Sequence, residues 1–131
     1  MKVGVPKEIK SQENRIGLTP ENVKILTSNG HEVLVQNNGG FEAGFYNSQY
    51  KSAGAKIIDK AEDIFNDSDI IVKVKEPLAN EVKMIRENQI VFTYLHLAAA
   101  QALTEGLIKS KSICIAYETV TDDNGKLPLL A

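Results

Sequence analysis

Residues Ile90–Ala98 read IVFTYLHLA. An apolar run of strand length passes directly into a histidine and then into small, helix-favouring residues. Taken as a buried parallel strand, Ile90–Leu95 leaves His96 just past its carboxyl end, the edge at which open α/β sheets bind ligands. The fold turns on whether the rest of the chain supplies more strands of this kind. The function turns on whether other reactive side chains reach the same edge.

More strands are present on both sides. Upstream, Asp69–Val74 (DIIVKV) is nearly continuous in β-branched residues, as suits a strand covered on both faces. Lys2–Pro6 (KVGVP), Glu32–Gln36 (EVLVQ) and Ala55–Ile58 are shorter strands, and Ser112–Ala116 (SICIA) follows downstream. The fifth strand extends back to Gln89. Helices fall between them. Thr19–Pro20–Glu21 is a helix start, with a hydroxyl cap, proline in the first turn and an acid favoured by the dipole; Asn29–Gly30 ends it. Helices are also expected over Asn47–Ala53 with Asn47 as cap, Lys60–Asn66, Asn80–Arg86 and Ala98–Ser110. Lys7–Leu18 is polar and aperiodic, a loop, and Asn37–Gly40 (NNGG) is a turn. Strand and helix alternate throughout. The expected fold is a three-layer α/β domain over residues 1–131, a mostly parallel, Rossmann-like sheet with helices on both faces.

Composition narrows the function classes. The 131 residues are 43% hydrophobic and 24% charged with a net charge of −2, ordinary for a globular domain and without the basic footprint of a nucleic-acid binder. No apolar run approaches the ~20 residues a membrane span requires, and the N-terminus opens into a strand rather than a signal peptide. Cys114 is the only cysteine, which fits a reducing cytoplasm, and with two histidines it makes a structural metal site an unattractive reading. The terminal LPLLA is apolar, as in a chain that stops inside a larger design.

Three reactive groups leave the carboxyl ends of strong strands: Arg15 in the loop after the first, Lys75 immediately after the fourth, and His96 immediately after the fifth. Right-handed crossovers bring these ends to one edge. Arginine matches a carboxylate with a planar fork, lysine polarises a carbonyl oxygen, and histidine exchanges protons near neutral pH. The set suits a small 2-oxo or 2-amino acid. Each has a plainer reading: a solvated arginine, an exposed lysine, a hydrogen-bonded structural histidine. Tyr94 reads as pocket wall, Glu118 as a residue that could orient a partner, His31 as a helix-terminal or surface histidine, and Cys114 as inert core. Neither G-x-G-x-x-G nor G-x-x-x-x-G-K-[ST] occurs, so no cofactor-binding residues are expected in this chain and no metal ligands.

Four segments together, VGVPKEIKSQENRIGLTP at Val3–Pro20, VKVKEPL at Val72–Leu78, FTYLHLA at Phe92–Ala98 and AYETV at Ala116–Val120, resemble the N-terminal part of the alanine dehydrogenases. The match runs from end to end in order. The wider superfamily includes the nicotinamide nucleotide transhydrogenase α subunit, but YLHLA and VKVKEP favour the dehydrogenase branch. The resemblance implies that Arg15 binds the substrate carboxylate, Lys75 binds and polarises the keto or imine end, and His96 is the acid/base group. The reaction implied is L-alanine, NAD+ and water to pyruvate, ammonium and NADH, in a cytoplasmic homo-oligomer. Family members are nearly three times as long and carry the NAD domain and a further catalytic aspartate beyond this stretch. The expectation is therefore a substrate domain that binds no NAD and is inactive alone. The alternatives are a non-catalytic substrate-binding or assembly module and a transhydrogenase-like domain.

Overall fold

A computed structural model describes residues 1–97 and 100–129. The strands are β1 (Lys2–Val5), β2 (Glu32–Gln36), β3 (Lys56–Ile58), β4 (Ile70–Val72), β5 (Ile90–Thr93) and β6 (Ile113–Ala116). The helices are α1 (Pro20–Ser28), α2 (Asn47–Ser52), α3 (Ala61–Asp67), α4 (Ala79–Val82) and α5 (Gln101–Ser110), with single 3-10 turns at Phe41–Ala43 and Tyr117–Thr119. The strands form one six-stranded sheet in the order β3-β2-β1-β4-β5-β6, and every pairing is parallel. The expected α/β sheet is thus present in its fully parallel form. The first two residues of the expected helix Ala98–Ser110, and the last two of the apolar terminus, lie outside the described residues.

The two faces follow from strand parity. Val3, Val5, Val33 and Val35 point to one face and pack with Val23 of α1 and Tyr50 of α2. Ile71 and Val91 point to the other, against Ile64 and Phe65 of α3 and Leu107 of α5. Gly4 is what lets α3 lie on the sheet: a Cβ there would stand 2.1 Å from the Ser68 hydroxyl and 2.8 Å from Ile64. The covering is uneven. Register aligns Ile90 with Ile113 and Phe92 with Ile115 on the α1/α2 face, beyond the reach of those helices. Ile113 stays 50% exposed and Ile115 40% exposed.

Local chemistry sets the element ends. Thr19 caps α1 by accepting from the Asn22 amide, and Asn22 returns the bond to the Thr19 amide. Gly30, at φ +85°, turns the chain out of α1 while the His31 amide donates to the Leu26 carbonyl. His31 is thereby a helix-terminal residue. In α2 the cap position is Tyr46; Asn47 is the first helical residue, and its side chain instead bonds Asn37 and Asn38 of the preceding turn. The carbonyls at the end of α3 are answered from elsewhere: the buried Gln89 amide donates to Phe65 and Ser68, and Arg86 donates to the same pair.

Past the end of β4 the fold holds a cluster of buried charge. Lys73 Nζ lies 3.1 Å from Glu8 of the first loop and 3.1 Å from Glu81 of α4, and all three side chains are buried. Glu81 also accepts from the Leu78 amide, 3.0 Å, at the start of its own helix. One ammonium thus joins three segments.

Two consequences for stability follow. Ile71→Ala, at the centre of the sheet, should lower the unfolding free energy by about 2–5 kcal/mol, whereas Ile108→Ala, 71% exposed, should stay within about 0.5 kcal/mol. Lys73→Met strands two buried carboxylates and should cost about 3–5 kcal/mol. Equilibrium urea unfolding followed by circular dichroism measures each difference.

Candidate active site

In the observed strand order the connections out of β1 and β3 run in opposite directions across the sheet. The reversal opens a crevice at the carboxyl ends of β1 and β4, the ordinary ligand position of such sheets. The loop after β1 and the turn after β4 meet there.

The loop enters with Glu8. Its carboxylate accepts from the Val74 amide at 3.2 Å and the Lys75 amide at 3.0 Å, besides pairing with Lys73. Lys10 forms an ion pair with Glu76, a second tie between loop and turn. Ile16 is buried, and Gly17 lies against β4 so closely that a Cβ would stand 2.6 Å from the Val72 carbonyl. Between these anchors the loop carries Arg15 outward, its side chain 66% exposed. Arg15 forks onto Glu13, with Nε at 3.0 Å and Nη2 at 2.7 Å from the two carboxylate oxygens. That hydrogen-bonded fork, with the charge of Lys75 adding to it, holds the Glu13 carboxyl down at about 2.

The backbone around Lys75 is held from two more sides. Thr93 of β5 donates its hydroxyl to the Lys75 carbonyl at 2.8 Å, and the Tyr117 hydroxyl donates to the Val74 carbonyl at 2.5 Å. The Lys75 ammonium then stands over the Tyr94 ring, 5.0 Å from its centroid. Burial pushes the Tyr117 hydroxyl up, and Arg15 is near enough to oppose that rise.

His96 follows β5 in the left-handed region, φ +48°, where a non-glycine residue is uncommon. Glu118 holds it there: its carboxylate accepts from the Leu95 amide at 3.0 Å and the His96 amide at 2.8 Å. The His96 ring stacks on Tyr94, centroids 5.7 Å apart and planes 11° apart, and the Tyr94 hydroxyl lies 3.1 Å from Nδ1. Nδ1 is therefore engaged, and among the described residues no hydrogen-bond partner meets Nε2. Tyr94 also meets Tyr117 at 6.0 Å. Beside this cluster a recess of about 320 Å³ is lined by Gly17, Val72, Lys73, Val74, Phe92, Tyr117 and Leu129.

The structure thus brings Lys75, Tyr94 and His96 into contact, sets Glu118 behind them, and carries Arg15 on the neighbouring loop. Cys114 lies away from them, half-buried in β6 beside Ser112. Sequence reasoning missed Glu8, Glu13, Lys73, Glu81 and Tyr117. One signal was available: Lys73 has the parity of Ile71 in a doubly covered strand, and a lysine on a buried face demands an acidic partner.

Comparison with known proteins agrees with the fold. The chain is 52% identical over 130 residues to an alanine dehydrogenase of Staphylococcus epidermidis, covering 99% of this chain and 35% of that protein. It is 46% identical over 131 residues to an alanine dehydrogenase of Mycobacterium tuberculosis, covering all of this chain and again 35% of the relative. A solved L-alanine dehydrogenase superposes with a TM-score of 0.96 at 48% identity, over 99% of this chain and 36% of that one. A transhydrogenase from Sinorhizobium meliloti superposes with a TM-score of 0.84 at 26% identity, over 90% and 35%. The chain spans about a third of the length of the relatives it matches. Residues 4–131 match the family described as "Alanine dehydrogenase/PNT, N-terminal domain", and the chain belongs to that family.

Proposed function

We propose that this domain is the substrate-binding part of an NAD-dependent L-alanine dehydrogenase, acting on L-alanine and pyruvate. The observation that carries the reading is the Lys75–Tyr94–His96 cluster, held at the sheet's carboxyl edge by Glu118 and Glu8. The higher identity to the dehydrogenase than to the transhydrogenase, 48% against 26%, favours this branch of the family.

In this reading Arg15 takes the substrate carboxylate through its planar fork. Lys75 supplies a compact positive charge at the keto oxygen, or at the carbon–nitrogen end of the imine. His96, through Nε2, takes a proton from the water that attacks the imine and returns one as ammonia leaves. Tyr94 buttresses the Lys75 ammonium and orients the His96 imidazole. A bound NAD would supply the hydride-accepting chemistry of the reaction.

NAD itself does not fit this domain's own switch point. In a dinucleotide fold the loop after β1 is glycine-rich and cradles the pyrophosphate. Here that loop reads Pro6-Lys7-Glu8, without glycine, and the Glu8 carboxylate stands in the crevice, bonded to the Val74 and Lys75 amides after β4. On this reading the chain by itself does not hold the cofactor, and it should show no NADH formation at 340 nm with alanine and NAD+. Localisation in the cytoplasm accords with a single free cysteine; among the described residues no helix is long and apolar enough to cross a membrane.

The uncovered half of the sheet, with Ile113 and Ile115, favours self-association of the chain. Light scattering after size-exclusion chromatography should give an oligomer, and the pair Ile113→Lys and Ile115→Lys should shift it toward monomer. Pyruvate binding tests the site directly. Titration followed by NMR should give saturable shifts at Lys75 and His96. Arg15→Ala should weaken binding by at least about tenfold, the cost of one charge-assisted bidentate contact. Shifts that survive unchanged in Arg15→Ala would remove Arg15 from the site.

A further inference from the structure

We propose that Glu13 is a positioning residue for the substrate carboxylate: it grips Arg15 from the side and so presents the outer edge of the guanidinium to the ligand. The inference rests on the reading of Arg15 given above and adds to it the element that aims it.

Arginine offers two edges to a carboxylate, a side edge formed by Nε and one Nη, and an end edge formed by both Nη atoms. Glu13 takes the side edge, one oxygen on Nε at 3.0 Å and the other on Nη2 at 2.7 Å. Among the described residues no protein acceptor engages Nη1. The end edge, Nη1 with the second hydrogen of Nη2, is left for a second carboxylate. The clamp is asymmetric in burial, which makes it directional. Glu13 is 7% exposed and Arg15 is 66% exposed, so the acid is the fixed member and the arginine the presented one.

Glu13 is also tied to the loop. The oxygen that accepts from Nε accepts from the Arg15 amide, at 2.9 Å. The same carboxylate therefore closes a local turn and fixes the side chain projecting from it. A free arginine on an exposed loop samples many rotamers, and a ligand would have to order it on binding. Here that ordering is done before the ligand arrives. The clamp is ionised wherever the enzyme could work, since its pKa is about 2 against an ordinary 4.5. A carboxyl lowered in the folded state adds stability that is complete above about pH 4.5 and disappears as the pH falls through 2. The stability gap between wild type and Glu13→Gln should accordingly be flat from about pH 7 to 5 and close below that.

Two variants separate a role in aiming Arg15 from a role in shaping the loop. Glu13→Gln keeps the length but sets an amide donor against the guanidinium. Glu13→Asp keeps a carboxylate able to accept from the amide two residues on, as aspartate does in turns, but is one methylene too short to reach Nε and Nη2. Both variants, with wild type and Arg15→Ala, are titrated with pyruvate and with methyl pyruvate, which lacks the carboxylate. The expected result is a loss of pyruvate affinity of roughly three- to tenfold in both Glu13 variants, the range that ordering one long side chain implies. Methyl pyruvate binding should not change, and the Arg15 Nε–H, expected to exchange slowly in wild type because Glu13 accepts from it, should exchange fast in both. Wild-type pyruvate affinity in Glu13→Asp would reduce Glu13 to a loop-shaping residue and overturn the proposal. Tighter pyruvate binding in either variant would make Glu13 a competitor for Arg15 and overturn it equally. If pyruvate fails to bind the wild-type chain, or binds Arg15→Ala as well as wild type, the reading of Arg15 fails and this inference falls with it.

Discussion

The Lys73 ammonium, shared between Glu8 and Glu81, is the constraint on which the carboxyl edge of the sheet depends. Three segments meet on it: the long loop after β1, the residue immediately after β4, and the first turn of α4. Burying two acids and a base is costly, and the mutual attraction offsets that cost only when the remaining polar positions are also satisfied. Here they are. Glu8 collects the amides of Val74 and Lys75, and Glu81 collects that of Leu78. Such a cluster is weak evidence for stability compared with a hydrophobic replacement. Its value lies in geometry, because the loop and the turn cannot shift against each other without stranding a charge.

The same logic recurs one strand further along. A left-handed residue such as His96 costs on the order of 1–3 kcal/mol unless its surroundings hold it. Glu118 holds it through two amides, and Tyr94 holds the ring through stacking and a hydrogen bond. In each case a carboxylate grips backbone amides immediately beside a side chain that faces outward. Glu8 does so beside Lys75, Glu118 beside His96, and Glu13 beside Arg15. Three cationic or ionisable groups are thereby aimed by three acids, and each acid is bound to main chain as well as, for Glu8 and Glu13, to a basic partner.

Much of this was legible in the sequence, and the part that was not has a physical reason. Periodicity and β-branched content place all the strands within one or two residues, because those signals report burial on a sheet. The parallel order also follows, since strand–helix alternation leaves few other arrangements. The short helix α4 is overrun by the sequence reading, Asn80–Arg86 against Ala79–Val82. The chain leaves the helix at Lys83, and the residues beyond are held by bonds of Arg86 and Gln89 to the Phe65 and Ser68 carbonyls, which no local pattern encodes. Arg15, Lys75 and His96 stand out because each follows a strand end. Their acids do not, because Glu8 and Glu13 sit in an aperiodic polar loop where a charged residue ordinarily means solvent. Only Lys73 carried a contradiction visible in advance, a lysine in register with Ile71.

The strand order is that of a dinucleotide-binding fold, yet the switch point is filled with carboxylate rather than left open for phosphate. A glycine-rich turn exposes amides for an anion to occupy. In this domain the loop after β1 instead carries the Glu8 carboxylate into the crevice, where it accepts from the Val74 and Lys75 amides after β4 and pairs with Lys73. On the proposed reading, anion binding falls instead to the side chains of Arg15 and Lys75. Main-chain amides in a row suit an extended pyrophosphate. Two separate side-chain cations suit a ligand with a carboxylate at one end and a polarisable oxygen or nitrogen at the other.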